Sequence, residues 1–199
     1  EKGPDYLTMT EALATDVLEV TEISEGGSVP NLRVSNKSTT DNILLLDGEE
    51  LKGAKQNRAL NTSILVGVSA DIVVPVSCTE QGRWRYKKHS HGQGDKMSQD
   101  EHMKFMDSQK MMAKELRRKR VQSVSESLKD HESYQSNQGE VWEGIAEMQK
   151  NLHAHSHTGA MSDSYEMRRR DLESYTNAFP LHEKQRGCVV FLNGKIAGC

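Results

Sequence analysis

The segment with the densest set of polar side chains follows an apolar run and ends in Gln56, Asn57 and Arg58. Two amides and a guanidinium at adjacent positions suit a ligand with planar polar edges or phosphate oxygens. Glu49 or Glu50 in the same stretch could act as a general base or orient a hydroxyl group. The alternative is a long polar turn whose side chains cap their own backbone. Loops at strand ends often carry binding sites, which favours a functional role here.

A second segment, residues 77–84, contains Cys78, Glu80, Arg83 and Trp84. A thiol can act as a nucleophile, and a carboxylate can act as a base or bind ribose hydroxyls. Arg83 could bind phosphate while Trp84 stacks on a base or a sugar. The alternative is that Trp84 fills the core and that Glu80 pairs with Arg83 at the surface.

The histidines form two clusters, His89 with His91, and His153 with His155 and His157. Histidines two residues apart can chelate zinc from an extended segment. Neither cluster has a cysteine or carboxylate at the spacing of a known metal motif, and residues two apart do not share a helix face. We therefore assign no metal ligands and leave any cofactor unspecified.

Composition limits the protein class. The 199 residues suffice for one domain, and the formal charge of -3 argues against a globally basic nucleic-acid binder. No apolar run approaches the roughly 20 residues that cross a bilayer, and no secretory leader is visible. Three cysteines without C-x-x-C spacing indicate reduced thiols and a cytoplasmic location. The last apolar run reaches Cys199 without a cap, so we expect the natural protein to continue.

The elements that must position these segments begin with short strands. Leu18–Thr21 and Asn31–Ser35 alternate apolar and polar residues, the period of a half-buried strand. The run Ile43–Leu46 is continuously apolar, and the Asp47-Gly48 pair that follows it predicts a two-residue hairpin turn. Short strands at this spacing favour an antiparallel sandwich or a barrel.

The composition changes near residue 87, and helical spacing follows. Phe105 and Met112 lie at intervals that predict a helix within residues 97–131. Asn137 precedes Glu140 by three positions, a capping pattern that predicts the start of a further helix.

We therefore predict one α+β domain over residues 1–199. Residues 7–86 and 187–199 form an antiparallel β sandwich or partly closed barrel. Residues 97–180 form a helical layer that is inserted before a terminal hairpin with its turn at Asn193-Gly194.

The sequence resembles the domain family named for its association with ADP-ribosylglycohydrolases and rhodanese-phosphatases. The motifs that carry the likeness lie in residues 43–58, 74–84, 138–142 and 187–198; the match is strong over about residues 43–84, looser over 138–198 and absent from about 90–136. It implies a link to NAD or ADP-ribose metabolism and names no activity. The resemblance places the motif at these positions: Glu49, Gln56, Asn57, Arg58, Cys78, Glu80, Arg83, Trp84, Gln138 and Trp142.

Two main function classes remain open, and a metal hydrolase that uses the histidines is a third option. In the first, the domain binds or processes a nucleotide-like or ADP-ribose-like molecule, with Glu49, Glu80 or Cys78 as the catalytic group if it is processed. In the second, it is a non-enzymatic structural or protein-interaction module whose polar segments hold the fold together. The two classes differ in geometry, because the first needs the polar side chains in one open cleft and the second needs them buried. The oligomeric state stays open in both.

Overall fold

The computed structural model describes residues 5–24, 26, 30–83, 103–180 and 182–198. This part of the chain contains both helices and strands, with most helices following the main sheet in sequence. The predicted α+β class is confirmed, and the largest sheet is a curled antiparallel half-barrel.

The elements are short. The strands are β1 (Tyr6–Thr8), β2 (Leu18–Thr21), β3 (Asn31–Asn36), β4 (Asn42–Leu45), β5 (Glu49–Gly53), β6 (Arg58–Leu60), β7 (Ile64–Val66), β8 (Asp71–Cys78), β9 (Phe105–Met111), β10 (Val190–Leu192) and β11 (Lys195–Gly198). The helices are α1 (Met9–Ala14), α2 (Lys114–His131), α3 (Gln138–Asn151), α4 (Met161–Met167) and α5 (Arg169–Ala178).

The half-barrel has six strands in the order β2-β3-β8-β6-β5-β9. Alternation in β3 turns Leu32 and Val34 inward, where both are fully buried, whereas Arg33 between them is exposed. Helix α1 packs Met9 and Ala12 into the same core. Thr8 and Glu11 form a capping box at the start of this helix.

The Asp47-Gly48 turn joins two different sheets. Strand β4 lies between β1 and β7 in a three-stranded sheet, whereas β5 belongs to the half-barrel. The predicted hairpin at this turn was therefore wrong. A turn signal reports local backbone geometry, and it does not decide which strands pair. The Asp47 carboxylate is bound instead by Arg117 and Arg120 of α2.

The helix predicted from Met97 onward was wrong at Phe105. Residues Phe105–Met111 form β9, which pairs antiparallel with β5, with Phe105 opposite Gly53. The buried side of β9 is anchored by Phe105. A single buried residue fits the helical and the strand period equally well, so the spacing to Met112 was a coincidence.

Helices α2 and α3 pack on the outer side of β6. Ala59 lies in one apolar cluster with Leu116 of α2 and Ile145 of α3. The predicted cap is confirmed, because the Asn137 side chain accepts hydrogen bonds from two backbone N–H groups of the first turn of α3. This helical layer brings α3 and α4 over the strand ends that carry the predicted site.

Residues 167–199 form a compact unit of their own. Within it, β10 and β11 pair antiparallel around Asn193-Gly194, so the predicted turn is confirmed. Both turn residues have positive φ, as a two-residue hairpin turn requires. The assignment of 187–199 to the β lobe, like the division of the chain into lobe and layer, stays a prediction.

Candidate functional site

Antiparallel pairing of β6 with β8 brings the two polar segments together. Arg58 lies opposite Cys78, and the backbone N–H of Thr79 donates to the carbonyl of Asn57 at 3.0 Å. The two segments are therefore neighbours in space, although about twenty positions separate them in the sequence. The sheet register, rather than any loop, sets this meeting point.

The side chains at this meeting point are buried. Gln56, Asn57, Arg58, Glu80 and Arg83 have exposed fractions of 4%, 1%, 0%, 3% and 6%. We call these five residues the polar centre. An open binding cleft would leave polar atoms in contact with water, so the polar centre is a closed site in this structure.

Glu80 is the hub of hydrogen bonds in the polar centre. One carboxylate oxygen accepts from Arg83 Nη2 at 2.7 Å and from the Asn57 backbone N–H at 3.2 Å, and the other accepts from Thr158 Oγ1 at 2.8 Å. Burial alone would raise the pKa of Glu80, but these donors outweigh it and hold the pKa below its ordinary value. Arg83 also donates to the Ala54 carbonyl at 2.7 Å.

Arg58 and Cys78 lie on the inner side of the sheet. Arg58 Nη2 is 3.7 Å from a Glu22 carboxylate oxygen, and both side chains are fully buried. The Gln56 side-chain oxygen accepts from Arg58 Nη1 at 3.2 Å and from Cys78 Sγ at 3.0 Å. Burial raises the pKa of the Cys78 thiol to about 11, so the thiol is protonated at neutral pH and is a poor nucleophile.

Glu49 and Glu50 differ because successive residues of a strand face opposite sides. Glu49 is half-buried and accepts from the Leu46 backbone N–H at 2.8 Å, at its own turn. Glu50 is fully buried and accepts from Thr79 Oγ1 at 2.7 Å. Burial raises the pKa of Glu50 to about 7. Of these two carboxyl groups, Glu50 lies beside the polar centre, and the catalytic role predicted for Glu49 stays a prediction.

The helical layer closes the polar centre from outside. Gln138 of α3 accepts from the Cys78 backbone N–H at 2.8 Å and donates to the Cys78 carbonyl at 2.9 Å. Its side chain thus satisfies both backbone groups at the end of β8. Trp142, one turn further along α3, is half-buried. Trp84 lies outside the described residues.

Residues 153–160, which we call the cover segment, connect α3 to α4 across the second polar segment. The Gly82 backbone N–H donates to the Thr158 carbonyl at 2.7 Å, and the Met161 N–H donates to the Thr79 carbonyl at 2.8 Å. Since the Thr158 hydroxyl also donates to Glu80, the cover segment both shields the polar centre and supplies one of its hydrogen bonds.

The whole chain matches the model of one known protein family. The model of the ARPP-1 family, the ARG and Rhodanese-Phosphatase-superfamily-associated Protein domain, matches residues 1–199. The chain belongs to this family. The ARPP-1 name records an association with two other protein groups and states no reaction. No curated protein and no solved structure matches.

Several residues that contact the polar centre were missed by the sequence analysis. Thr158 and Ser162 complete hydrogen bonds to Glu80 and Asn57, but both lie about a hundred positions from the polar segments and carry no local signal. Glu22 did carry a signal. Extending the alternation of β2 by one step places it on the inner face, where it meets Arg58.

The histidines do not assemble a site within the described part of the ARPP-1 chain. His153, His155 and His157 point outward from the cover segment. His89 and His91 lie outside the described residues. Among the residues that the structure describes, no three histidine, cysteine or carboxylate side chains are placed to hold a metal ion. No described helix is long and apolar enough to span a bilayer.

Proposed function

We propose that this ARPP-1 domain is a non-enzymatic structural or protein-interaction module in which the polar centre fastens the half-barrel to the helical layer. One observation carries the proposal. The five side chains of the polar centre are at most 6% exposed and bond to each other, to backbone groups and to the cover segment. Buried polar groups that bond to one another across separate parts of a fold help to specify a unique packing, which is a structural role.

The contacts of the polar centre span three parts of the fold. Asn57 of the loop before β6 donates to Ser162 of α4 at 3.2 Å, and Glu80 accepts from Thr158 of the cover segment. Gln138 ties α3 to the end of β8. Removing any one of these partners would leave a buried polar group unsatisfied, at a cost of about 1–3 kcal/mol.

A second candidate is binding of a nucleotide-like or ADP-ribose-like molecule in NAD-linked metabolism. One specific observation favours it, because the neighbouring carboxyl groups of Glu50 and Glu80 have pKa values shifted in opposite directions. Such a pair is typical of acid–base catalysis. This function requires the cover segment to move, and His153 and Gly159, both with positive φ, stand near its ends.

Thr158→Val tests the two candidates against each other, because it removes the hydroxyl held by Glu80 while keeping the side-chain shape. Thr176→Val on the exposed face of α5 is the matched control. Calorimetry would titrate ADP-ribose, NAD and AMP at millimolar concentration into each protein. The structural proposal expects no binding heat from any of them and a loss of about 1–3 kcal/mol of unfolding free energy in Thr158→Val alone.

Saturable binding heat from any of these ligands in the wild type, with a larger heat in Thr158→Val, would refute the structural proposal in favour of ligand binding. A cytoplasmic location belongs to the same proposal, since Cys78 and Cys188 are free thiols. Fractionation of cells that express the intact protein would check the location.

A further inference from the structure

The two edge strands of the half-barrel approach each other without closing it. Thr21 of β2 and Lys104, the residue before β9, form an isolated antiparallel bridge, and the Glu22 N–H donates to the Met103 carbonyl at 3.1 Å. Beyond this bridge, β2 and β9 share no ladder in the described chain. A cavity of about 670 Å³ lies between them, beside α1. We call it the seam cleft.

The seam cleft has an apolar wall and a charged mouth. Leu13 of α1, Leu18 of β2 and Phe105 and Met106 of β9 form much of the wall. Met106, which lines the cleft, is 56% exposed, so part of this wall is open to solvent. The cavity volume lies within the roughly 300–1,000 Å³ of small-molecule sites.

Two ammonium groups converge at the mouth of the seam cleft. Lys37, from the loop after β3, and Lys104 each place Nζ 2.9 Å from the same Glu19 carboxylate oxygen. The two lysines come from distant parts of the chain and would repel each other without an anion between them. Hydrogen bonds from both lysines hold the pKa of Glu19 below its ordinary value, so this carboxylate is the bound anion.

A second carboxylate in the lining of the seam cleft, that of Asp107, is already engaged. Asp107 accepts from Thr10 Oγ1 at 2.6 Å and from the Gln109 backbone N–H at 2.7 Å. It therefore orients α1 against β9 rather than competing for the lysines. Asp16, at the end of α1, completes the acidic part of the lining.

We propose that the seam cleft binds a small organic anion, whose carboxylate or phosphate replaces the Glu19 carboxylate between Lys37 and Lys104 while its apolar body lies against Leu18 and Phe105. Glu19 then acts as an internal competitor that occupies the anion position in the free protein. This function is separate from that of the polar centre, and it stands or falls without it.

The test uses 8-anilinonaphthalene-1-sulfonate, an anion with an apolar body whose fluorescence rises in apolar sites. Wild type should bind it saturably in the native state. Glu19→Gln should bind it about three- to fivefold more tightly, because a competing exposed ion pair is worth up to about 1 kcal/mol. The double variant Lys37→Met/Lys104→Met should bind it about tenfold more weakly, since both cations are lost.

Lys119→Met is the matched control, because this exposed lysine also pairs with a carboxylate, Glu147, but lies on α2 away from the seam cleft. It should leave the probe affinity unchanged. Far-UV and near-UV circular dichroism of each variant would separate native binding from probe uptake by a loosened core. Competition by octanoate or by AMP would then show whether a carboxylate or a phosphate is the preferred head group.

Three results would overturn the proposal: no saturable probe binding by folded wild type, equal affinity in the double lysine variant, or weaker binding by folded Glu19→Gln. The last is decisive, because a merely structural Glu19 predicts weaker binding when it is removed, whereas a competitor predicts stronger binding.

Discussion

Replacement of Glu50 by glutamine should stabilise the protein above neutral pH. Glu50 is fully buried beside the polar centre, and burial raises its pKa from 4.5 to about 7. The folded state therefore favours the protonated carboxyl, while the unfolded chain ionises at an ordinary pKa. Stability from this group is fully present below pH 4.5 and is lost as the pH rises through about 7.

The magnitude follows from the size of the pKa shift. A shift of one pKa unit corresponds to about 1.4 kcal/mol, so ionising Glu50 in the folded protein costs about 3 kcal/mol at pH 8. Glutamine is nearly isosteric and stays neutral, and its side-chain oxygen can still accept from the Thr79 hydroxyl. Glu50→Gln should thus gain up to about 3 kcal/mol over wild type at pH 8 and nothing at pH 4.5.

Urea unfolding of both proteins at intervals from pH 4.5 to pH 8.5 would measure this difference. The quantity of interest is the gap between their unfolding free energies, because other carboxyl groups titrate equally in both. Glu143→Gln, on the exposed side of α3, is the matched control and should show no such gap. A gap that stays constant across this pH range would refute the reasoning, since the folded carboxyl would then titrate like the unfolded one.

Three further predictions concern the half-barrel. Arg58→Met should lower the free energy of unfolding by about 3–5 kcal/mol, because it leaves the buried Glu22 carboxylate without its cation, and adding Glu22→Met should recover part of that loss. Additive losses in a double-mutant cycle measured by denaturant unfolding would contradict this coupling. Gly53→Ala should lower stability by about 1–3 kcal/mol, since Gly53 has a φ of 145° and its Cβ would lie 2.8 Å from a backbone oxygen ahead of β9; an unchanged melting temperature would count against it. Iodoacetamide at neutral pH should modify exposed Cys188 rapidly and buried Cys78 only on unfolding, which peptide mapping would show; equal rates would overturn the assigned burial.

Features that depend on local sequence were predictable. Asn137 caps α3, Asn193-Gly194 forms its hairpin turn, and β2 and β3 follow their alternating residues. Each of these signals acts over a few residues, so no knowledge of the tertiary structure is needed. The family assignment from the polar motifs was confirmed over the whole chain.

Features that depend on pairing between distant segments were not predictable. The Asp47-Gly48 turn gave no sign that β4 and β5 enter different sheets. The spacing of Phe105 fits a strand as well as a helix, and only its pairing with Gly53 shows that the segment is a strand. The two polar segments did meet, but their burial follows from α3 and the cover segment, whose contacts lie far along the chain. Polarity in a sequence therefore did not indicate exposure.

The long reach of the polar centre has a consequence for synthesis on the ribosome. Asn57 finds its Ser162 partner 105 positions later. At about 5–20 residues per second, roughly 5–20 s pass between their emergence. During this interval the polar side chains of the nascent half-barrel remain hydrated, and its apolar strand edges are open to chaperones. The polar centre is therefore completed only after α4 has emerged, and closing such a distant contact slows the final folding step.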